Sequence, residues 1–284
     1  MRVIVTGGSG KLGRAVVDDL LGHGHEVWVW DTVPPRDPRP VFTRVDLTDF
    51  GQVDEALRGM DERWDRPDAL VHLAAIPAPG MVPNAALVRN NFLSTYHVFA
   101  AARHAGVRNV VYASSETVLG LPFDTPPPYI PVDEAYAPRP ESHYSLVKTL
   151  EEAMAREFVR WDPALKLIAL RFSNVMEPTD YERFPSFDAD PSLRKWNLWG
   201  YIDARDGAQA VRLALESDLV GFDVFIVANA DTVMSRPSAE LAAEVYPGVE
   251  VRKALGEHET MLSIDKARRV LGFEPAHSWR DELA

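Results

Sequence analysis

Near the front of the chain runs Val3-Ile4-Val5-Thr6-Gly7-Gly8-Ser9-Gly10-Lys11-Leu12-Gly13. Apolar β-formers lead into a glycine-rich turn, and helix-forming sequence follows, so the stretch reads as strand, turn and helix. Gly7 lets the chain turn sharply off the strand, and Gly10 lets backbone approach a pyrophosphate closely. Gly13 lets the new helix pack tightly on the sheet. The helix start at Lys11 and Leu12 adds free N–H groups and the positive end of the helix dipole. Together these features predict a dinucleotide-binding turn.

A second strand, His25 to Trp30, ends at Asp31. An acidic side chain there accepts hydrogen bonds from ribose hydroxyls and repels a 2′-phosphate, which favours NAD over NADP. The alternative is a turn-forming aspartate ahead of Pro34-Pro35, and Arg36 stands close by.

Strand and helix signals alternate through the first two thirds. Strands are predicted at Val41–Val45, Ala69–Leu73, Asn109–Ala113 and Leu165–Arg171, and helices at Asp49–Met60, Asn84–Ala105 and Ser142–Trp161. That alternation predicts an α/β fold, a Rossmann-type doubly wound parallel sheet with a small C-terminal substrate-binding region. Residues 1–173 form the dinucleotide-binding part, with 202–230 returning to it. Residues 174–201 and 231–284 form the smaller region. The proline-rich stretch Leu121–Pro140 is expected to be an ordered loop over the site. A further helix is expected after Asp206, then a strand at Asp223–Ala228 and small helices to the end.

Composition narrows the function classes. The 284 residues include no cysteine, which excludes disulfides, thiolate metal sites and cysteine nucleophiles. A net charge of −12 argues against nucleic acid or an anionic membrane as partner. The uncharged stretch Ala69–Val88 is interrupted by Pro77, Pro79 and Pro83 and reads as strand and loop rather than a membrane span. The N-terminus enters a strand without a charged or apolar leader, so no signal peptide and a cytoplasmic location are expected.

The chemistry sits further along. Tyr144 and Lys148, in Tyr-Ser-Leu-Val-Lys, share one face of a helical segment. A free phenol is a poor base at neutral pH, and a lysine ammonium beside it, helped by an oxidised nicotinamide, favours phenolate. Ser115, in Ala113-Ser114-Ser115-Glu116, falls at the carboxyl edge of the sheet, where it can hydrogen-bond a reacting oxygen.

With these motifs in order, the chain resembles the extended short-chain dehydrogenase/reductase family, the group of NAD-dependent epimerases and dehydratases. Asp46-Leu47 resembles the family's adenine-contacting pair, and His72-Leu73-Ala74-Ala75 the strand end that lines the cofactor. Asn91 matches the family's helix asparagine, implied to complete a water-mediated proton relay. Ser114 to Gly120 resembles Ser-Ser-x-x-Val-Tyr-Gly, with Leu119 in place of tyrosine. Arg171 to Val175, Tyr201 to Asp206 and Leu271-Gly272-Phe273-Glu274-Pro275 follow in family order. The resemblance also implies a homodimer built from the helices around Asn84–Ala105 and Ser142–Trp161.

One segment departs from the nucleotide-sugar members. The insert Val175–Gly200 is short, and this compactness resembles the uronate dehydrogenases of the same family, as do Glu177-Pro178 and Tyr181. Their carboxylate-binding arginine falls on Glu182, with Arg183 beside it, while Pro77 and Glu116 replace polar contacts. The expected substrate is therefore a free sugar, an aldose or a uronate, held by Ser115, Glu116, Thr117, Asn174, Glu177 and Arg183. Phe184, Phe187, Trp196 and Trp199 could offer ring faces to it. The leading expectation is an NAD-dependent sugar dehydrogenase using Tyr144, Lys148, Ser115 and Asn91. A nucleotide-sugar 4-epimerase with tightly bound NAD and a non-catalytic NAD-sensing regulator are the alternatives.

Overall fold

The computed structural model describes residues 1–59 and 66–283. The chain runs β1 (Arg2–Thr6), α1 (Lys11–Gly22), β2 (Glu26–Asp31), β3 (Val41–Arg44), α2 (Phe50–Gly59), β4 (Ala69–His72), α3 (Asn84–Ala105) and β5 (Asn109–Ser115). A long loop holding β6 (Tyr129–Ile130) leads to α4 (His143–Trp161), β7 (Lys166–Phe172) and β8 (Val175–Met176). Short 3-10 turns fill the insert before β9 (Ile202–Asp203), α5 (Ala204–Glu216) and β10 (Gly221–Val227). The chain closes with α6 (Ser238–Val245), β11 (Glu250–Val251), α7 (Asp265–Leu271) and α8 (Trp279–Glu282). The predicted helix Asp49–Met60 is α2, and its last predicted residue, Met60, lies outside the described residues.

Seven parallel strands form one sheet in the order β10-β7-β5-β4-β1-β2-β3. This is the doubly wound α/β sheet the alternation predicts. The strand order reverses between β1 and β4, which opens a crevice at their carboxyl ends. Gly7, Asp31, Leu73 and Ser115 all leave the sheet along that edge.

Alternate side chains of each strand feed opposite sides. Val3 and Val5 pack with Val16, Val17 and Leu20 of α1, whereas Ile4 packs with Trp28, Trp30, Val98 and Phe99 on the other side. Both faces are covered, so the strands read as continuous apolar runs. Val233, Met234, Met261, Leu262 and Trp279 join the first of these cores, so the C-terminal segment packs on the sheet's own core.

Local chemistry sets the element ends. Ser142 and Ser145 form a reciprocal capping box that starts α4. Asp203 accepts from the Arg205 amide and starts α5 at Ala204, ahead of the predicted start after Asp206. Asp206 instead sits in the first turn, accepting from the Ala276 and His277 amides. The strands β6, β8, β9 and β11 went unpredicted because two residues carry no periodicity. Leu121–Pro140 is ordered as expected, with Phe123, Ile130 and Val132 buried in the core. Among the described residues, no helix is long and apolar enough to cross a membrane.

A Cβ on Gly13 would lie 2.1 Å from the Gly7 carbonyl oxygen and 2.7 Å from Gly8 Cα, and both atoms are backbone. Gly13→Ala should therefore destabilise the fold by about 1–3 kcal/mol, read as a lower midpoint in urea. An unchanged midpoint would show that α1 does not need this close approach.

Candidate active site

The glycine turn forms a cradle. Gly7 takes φ +72°, and a Cβ there would meet the Ala74 amide nitrogen at 2.6 Å, so the turn presses on the strand end Leu73-Ala74. A Cβ on Gly10 would meet only the Gly7 carbonyl oxygen, at 3.3 Å, within 4 Å. That space is open, and the first amides of α1, at Lys11, Leu12 and Gly13, have no acceptor within the helix. A pyrophosphate fits there. Gly8 went unnoticed in the sequence, and its missing side chain makes room for Val29, whose methyl carbons would lie 2.8 Å from a Cβ.

Asp31 accepts from the Ser9 amide at 3.1 Å on Oδ2 and from the Thr32 and Val33 amides at 2.7 and 3.2 Å on Oδ1. Asp31 therefore forms the turn, and one lone pair of Oδ2 is left for a further donor. A cavity of about 580 Å³ lies alongside, lined by Thr32, Arg44, Asp46, Gln52, Ile76 and Arg89 among others. Asp46, expected at the adenine, stands at its wall. Leu47 is buried and offers its carbonyl to His97.

Tyr144, Lys148 and Ser115 come together at the carboxyl edge of β5, each under 10% exposed. Lys148 Nζ donates to the Ala113 carbonyl at 2.8 Å and stands 6.0 Å from the centre of the Tyr144 ring. Burial pushes the Tyr144 phenol above its ordinary value, while Lys148 and the Ser115 hydroxyl pull it down. The direction of the lysine effect is as predicted, but desolvation outweighs it. Ser115 Oγ also receives the Thr117 amide and hydroxyl, at 3.2 and 3.0 Å, which fixes its rotamer. Asn91 is clamped to Ile76, accepting from its amide at 2.8 Å and donating to its carbonyl at 3.0 Å. Its side chain therefore shapes the loop after β4.

The insert sits differently from the expectation. Phe184 and Trp199 are 1% and 0% exposed and pack in the core, so their rings do not face a sugar. Arg183 and Glu182 are exposed. Glu177 pairs with Arg14 at 2.8 Å and Asp180 pairs with Lys11, which ties the insert to the start of α1. Ala75 and Asn174 are half-buried.

Glu116 links the sheet edge to the insert. It is 3% exposed, and its oxygens take the Ser173 hydroxyl at 2.6 Å and the Asn197 amide at 3.1 Å. Arg194, also buried, donates to the Gly200 carbonyl at 3.0 Å and lies over Phe187 and Trp196. Leu198 and Trp199 between them take positive φ, of 54° and 57°, a strained corner held by these bonds. The pairing of Ser173 and Asn197 with Glu116 was not legible in the sequence, since each is more than 50 residues from it.

Desolvation raises the Glu116 carboxyl from 4.5 to about 7. The folded chain then keeps a proton that the unfolded chain releases, so the stabilisation is complete below about pH 4.5 and is lost as pH rises through about 7. The full effect is roughly 3 kcal/mol at about 1.4 kcal/mol per pH unit. Urea midpoints should fall across that window in the unaltered chain, and Glu116→Gln should flatten the slope. Equal slopes in both proteins would place Glu116's proton elsewhere.

Residues 3–228 match the NAD dependent epimerase/dehydratase family. The chain is similar to a UDP-glucose 4-epimerase of Erwinia amylovora, 29% identical over 219 residues, covering 71% of this chain and 60% of that protein. It is also similar to an NAD-dependent glucose-6-phosphate dehydrogenase of Haloferax volcanii, 26% identical over 96% of this chain and 92% of that one. A crystal structure of a UDP-galactose 4-epimerase superposes with a TM-score of 0.72 at 26% identity, covering 100% of this chain and 96% of the other. With the family matched from β1 into the end of β10 and the cradle suited to its cofactor, the chain belongs to the NAD-dependent epimerase/dehydratase family of enzymes.

Proposed function

We propose that this site oxidises a hydroxyl-bearing carbon of a sugar, with Tyr144 taking the hydroxyl proton. The observation that carries it is the meeting of Tyr144, Lys148 and Ser115 at the sheet edge, opposite the glycine cradle. NAD, when bound, accepts the hydride that leaves the carbon. Ser115 holds the reacting oxygen, and Tyr144 returns the proton in the reverse direction. Lys148 keeps one N–H for the cofactor ribose and steadies the phenolate by its charge.

The relatives favour a nucleotide-sugar 4-epimerase over the free-sugar dehydrogenase that the sequence puts first. In that reading the transient ketone is reduced again from the opposite face, and no net oxidation results. The dehydrogenase reading retains support from the short insert and from a dehydrogenase relative matched along nearly its whole length. Residues 174–201 and 231–283 supply the sugar side in either case.

Incubating the chain with NAD and UDP-sugars, beside free aldoses, uronates and sugar phosphates, separates the readings. Sugar isomers without NADH mark the epimerase, and stoichiometric NADH with an unlinked sugar or sugar phosphate marks the dehydrogenase. Neither product from any of them would defeat the proposal. Asp31 should set cofactor choice, with at least ~10-fold preference for NAD over NADP, about 1.4 kcal/mol, narrowed in Asp31→Ala. Equal catalytic efficiency with both cofactors would remove that role. A homodimer through α3 and α4 fits the exposure of Tyr96, Leu146, Leu150 and Trp161, each 42–50% exposed. Light scattering at micromolar concentration should give twice the chain mass, and a monomer mass would discard the dimer.

A further inference from the structure

Glu151 stands one helical turn past Lys148 on α4, and the proposed reaction does not use it. Its carboxylate is 1% exposed, taking Lys148 Nζ at 2.9 Å on Oε2 and the Thr95 hydroxyl at 2.9 Å on Oε1. Burial raises this carboxyl above its ordinary value, and the Lys148 ammonium and the Thr95 hydroxyl work against that in favour of the carboxylate. Thr95 Oγ1 lies 3.1 Å from His72 Nε2, and His72 Nδ1 lies 2.8 Å from Thr6 Oγ1. The Ala74 amide donates to Thr6 Oγ1 at 3.3 Å.

The proton directions follow from valence. Thr95 has one hydroxyl proton and gives it to Glu151, so it must accept from His72, whose Nε2 therefore carries hydrogen. Burial first, and then Lys148, holds His72 neutral by lowering it to about 3. Its Nδ1 is then bare and accepts from Thr6, which in turn accepts from Ala74. Every bond points the same way, from the strand edge beneath the cofactor cradle to one carboxylate.

We propose that Glu151 is a positioning residue, the anionic end of this row, which fixes the Lys148 ammonium and sets how readily Tyr144 gives up its proton. Of three ammonium donors, the Ala113 carbonyl takes one and Glu151 another, so the third is directed by elimination. The surrounding charges leave this task to Glu151. Glu152, next on α4, is neutralised by Arg171 of β7 at 2.8 Å, and Thr95 of α3, His72 of β4 and Tyr112 of β5 are uncharged. Glu116, beyond Ser115 and bound to the insert, also opposes ionisation of the phenol, more weakly than Glu151. The negative charge of Glu151 opposes the pull of Lys148 on the phenol. In Glu151→Gln the forming Tyr144 phenolate and Glu152 still favour the charged ammonium, so the pull of Lys148 remains while the opposing charge is gone.

The inference rests on Tyr144 exchanging the substrate proton, but its test reads the phenol directly and needs no substrate. In the NAD-saturated protein, near-ultraviolet titration of phenolate, minus the same titration of a Tyr144→Phe partner variant, isolates this one tyrosine. Glu151→Gln should lower its midpoint by about one pH unit, a ~10-fold change in proton affinity. Thr95→Val, which removes one buried hydrogen bond and keeps the charge, should leave the midpoint within a few tenths of a unit. An unchanged or raised midpoint in Glu151→Gln, or an equal fall in Thr95→Val, would overturn the proposal. Should Glu151→Gln fail to fold, nitrogen-15 spectra of His72 in the unaltered protein decide. The Nε2–H neutral tautomer is expected from about pH 5 to about pH 8. The Nδ1–H tautomer or an imidazolium would reverse the row and overturn it. A shifted midpoint in a protein that converts no sugar would support the inference and defeat the proposed function.

Discussion

The site depends on how α4 is fastened to the sheet. Glu152 takes Arg171 through Nε and Nη2 at 2.9 and 2.8 Å, and the Ser114 hydroxyl at 2.7 Å, with both charged side chains 1% exposed. A buried pair of this kind adds little net stability over apolar packing, but leaving either partner alone would cost about 3–5 kcal/mol. It therefore selects one register of helix against strands. Ser114 and Arg171 are themselves register partners on β5 and β7. The clasp sets α4 over the strand ends, and Lys148 and Tyr144, about one and two helical turns before Glu152, come to Ser115.

The cofactor cradle is fixed by a different constraint, close backbone approach. Where the Gly7 turn meets Ala74 there is no room for a side chain, and Thr6 and His72 beside it are buried and hydrogen-bonded. The two halves of the site are joined beneath the surface by the row from Ala74 through His72 and Thr95 to Glu151 and Lys148. The insert is tied to the helix of the cradle by Arg14 with Glu177 and Lys11 with Asp180.

Much of this was legible in the sequence because it is local. The Gly7-to-Gly13 turn, the Tyr144/Lys148 spacing and Asp31 at a strand end are each read within a few residues. The seven sheet strands followed from apolar runs bounded by turns. What escaped the sequence is long in separation: Glu116 with Ser173 and Asn197, and Thr95 with Glu151. The insert misled because aromatic residues near a pocket and aromatic residues of a core have the same composition. Phe184 packs among Tyr181, Tyr201 and Trp279, and only tertiary contacts reveal that. Glu151 could have been found, since three residues past Lys148 lies on the same helix face.

The central claim is that Tyr144 moves the substrate proton while the cradle holds the cofactor independently of it. Tyr144→Phe tests this most directly, with NAD affinity measured by calorimetry and conversion measured on the sugar that the unaltered protein turns over. The account predicts near-normal NAD affinity and at least a ~100-fold loss of conversion. Retention of more than about a tenth of the conversion would contradict it, because another group would then be carrying the proton.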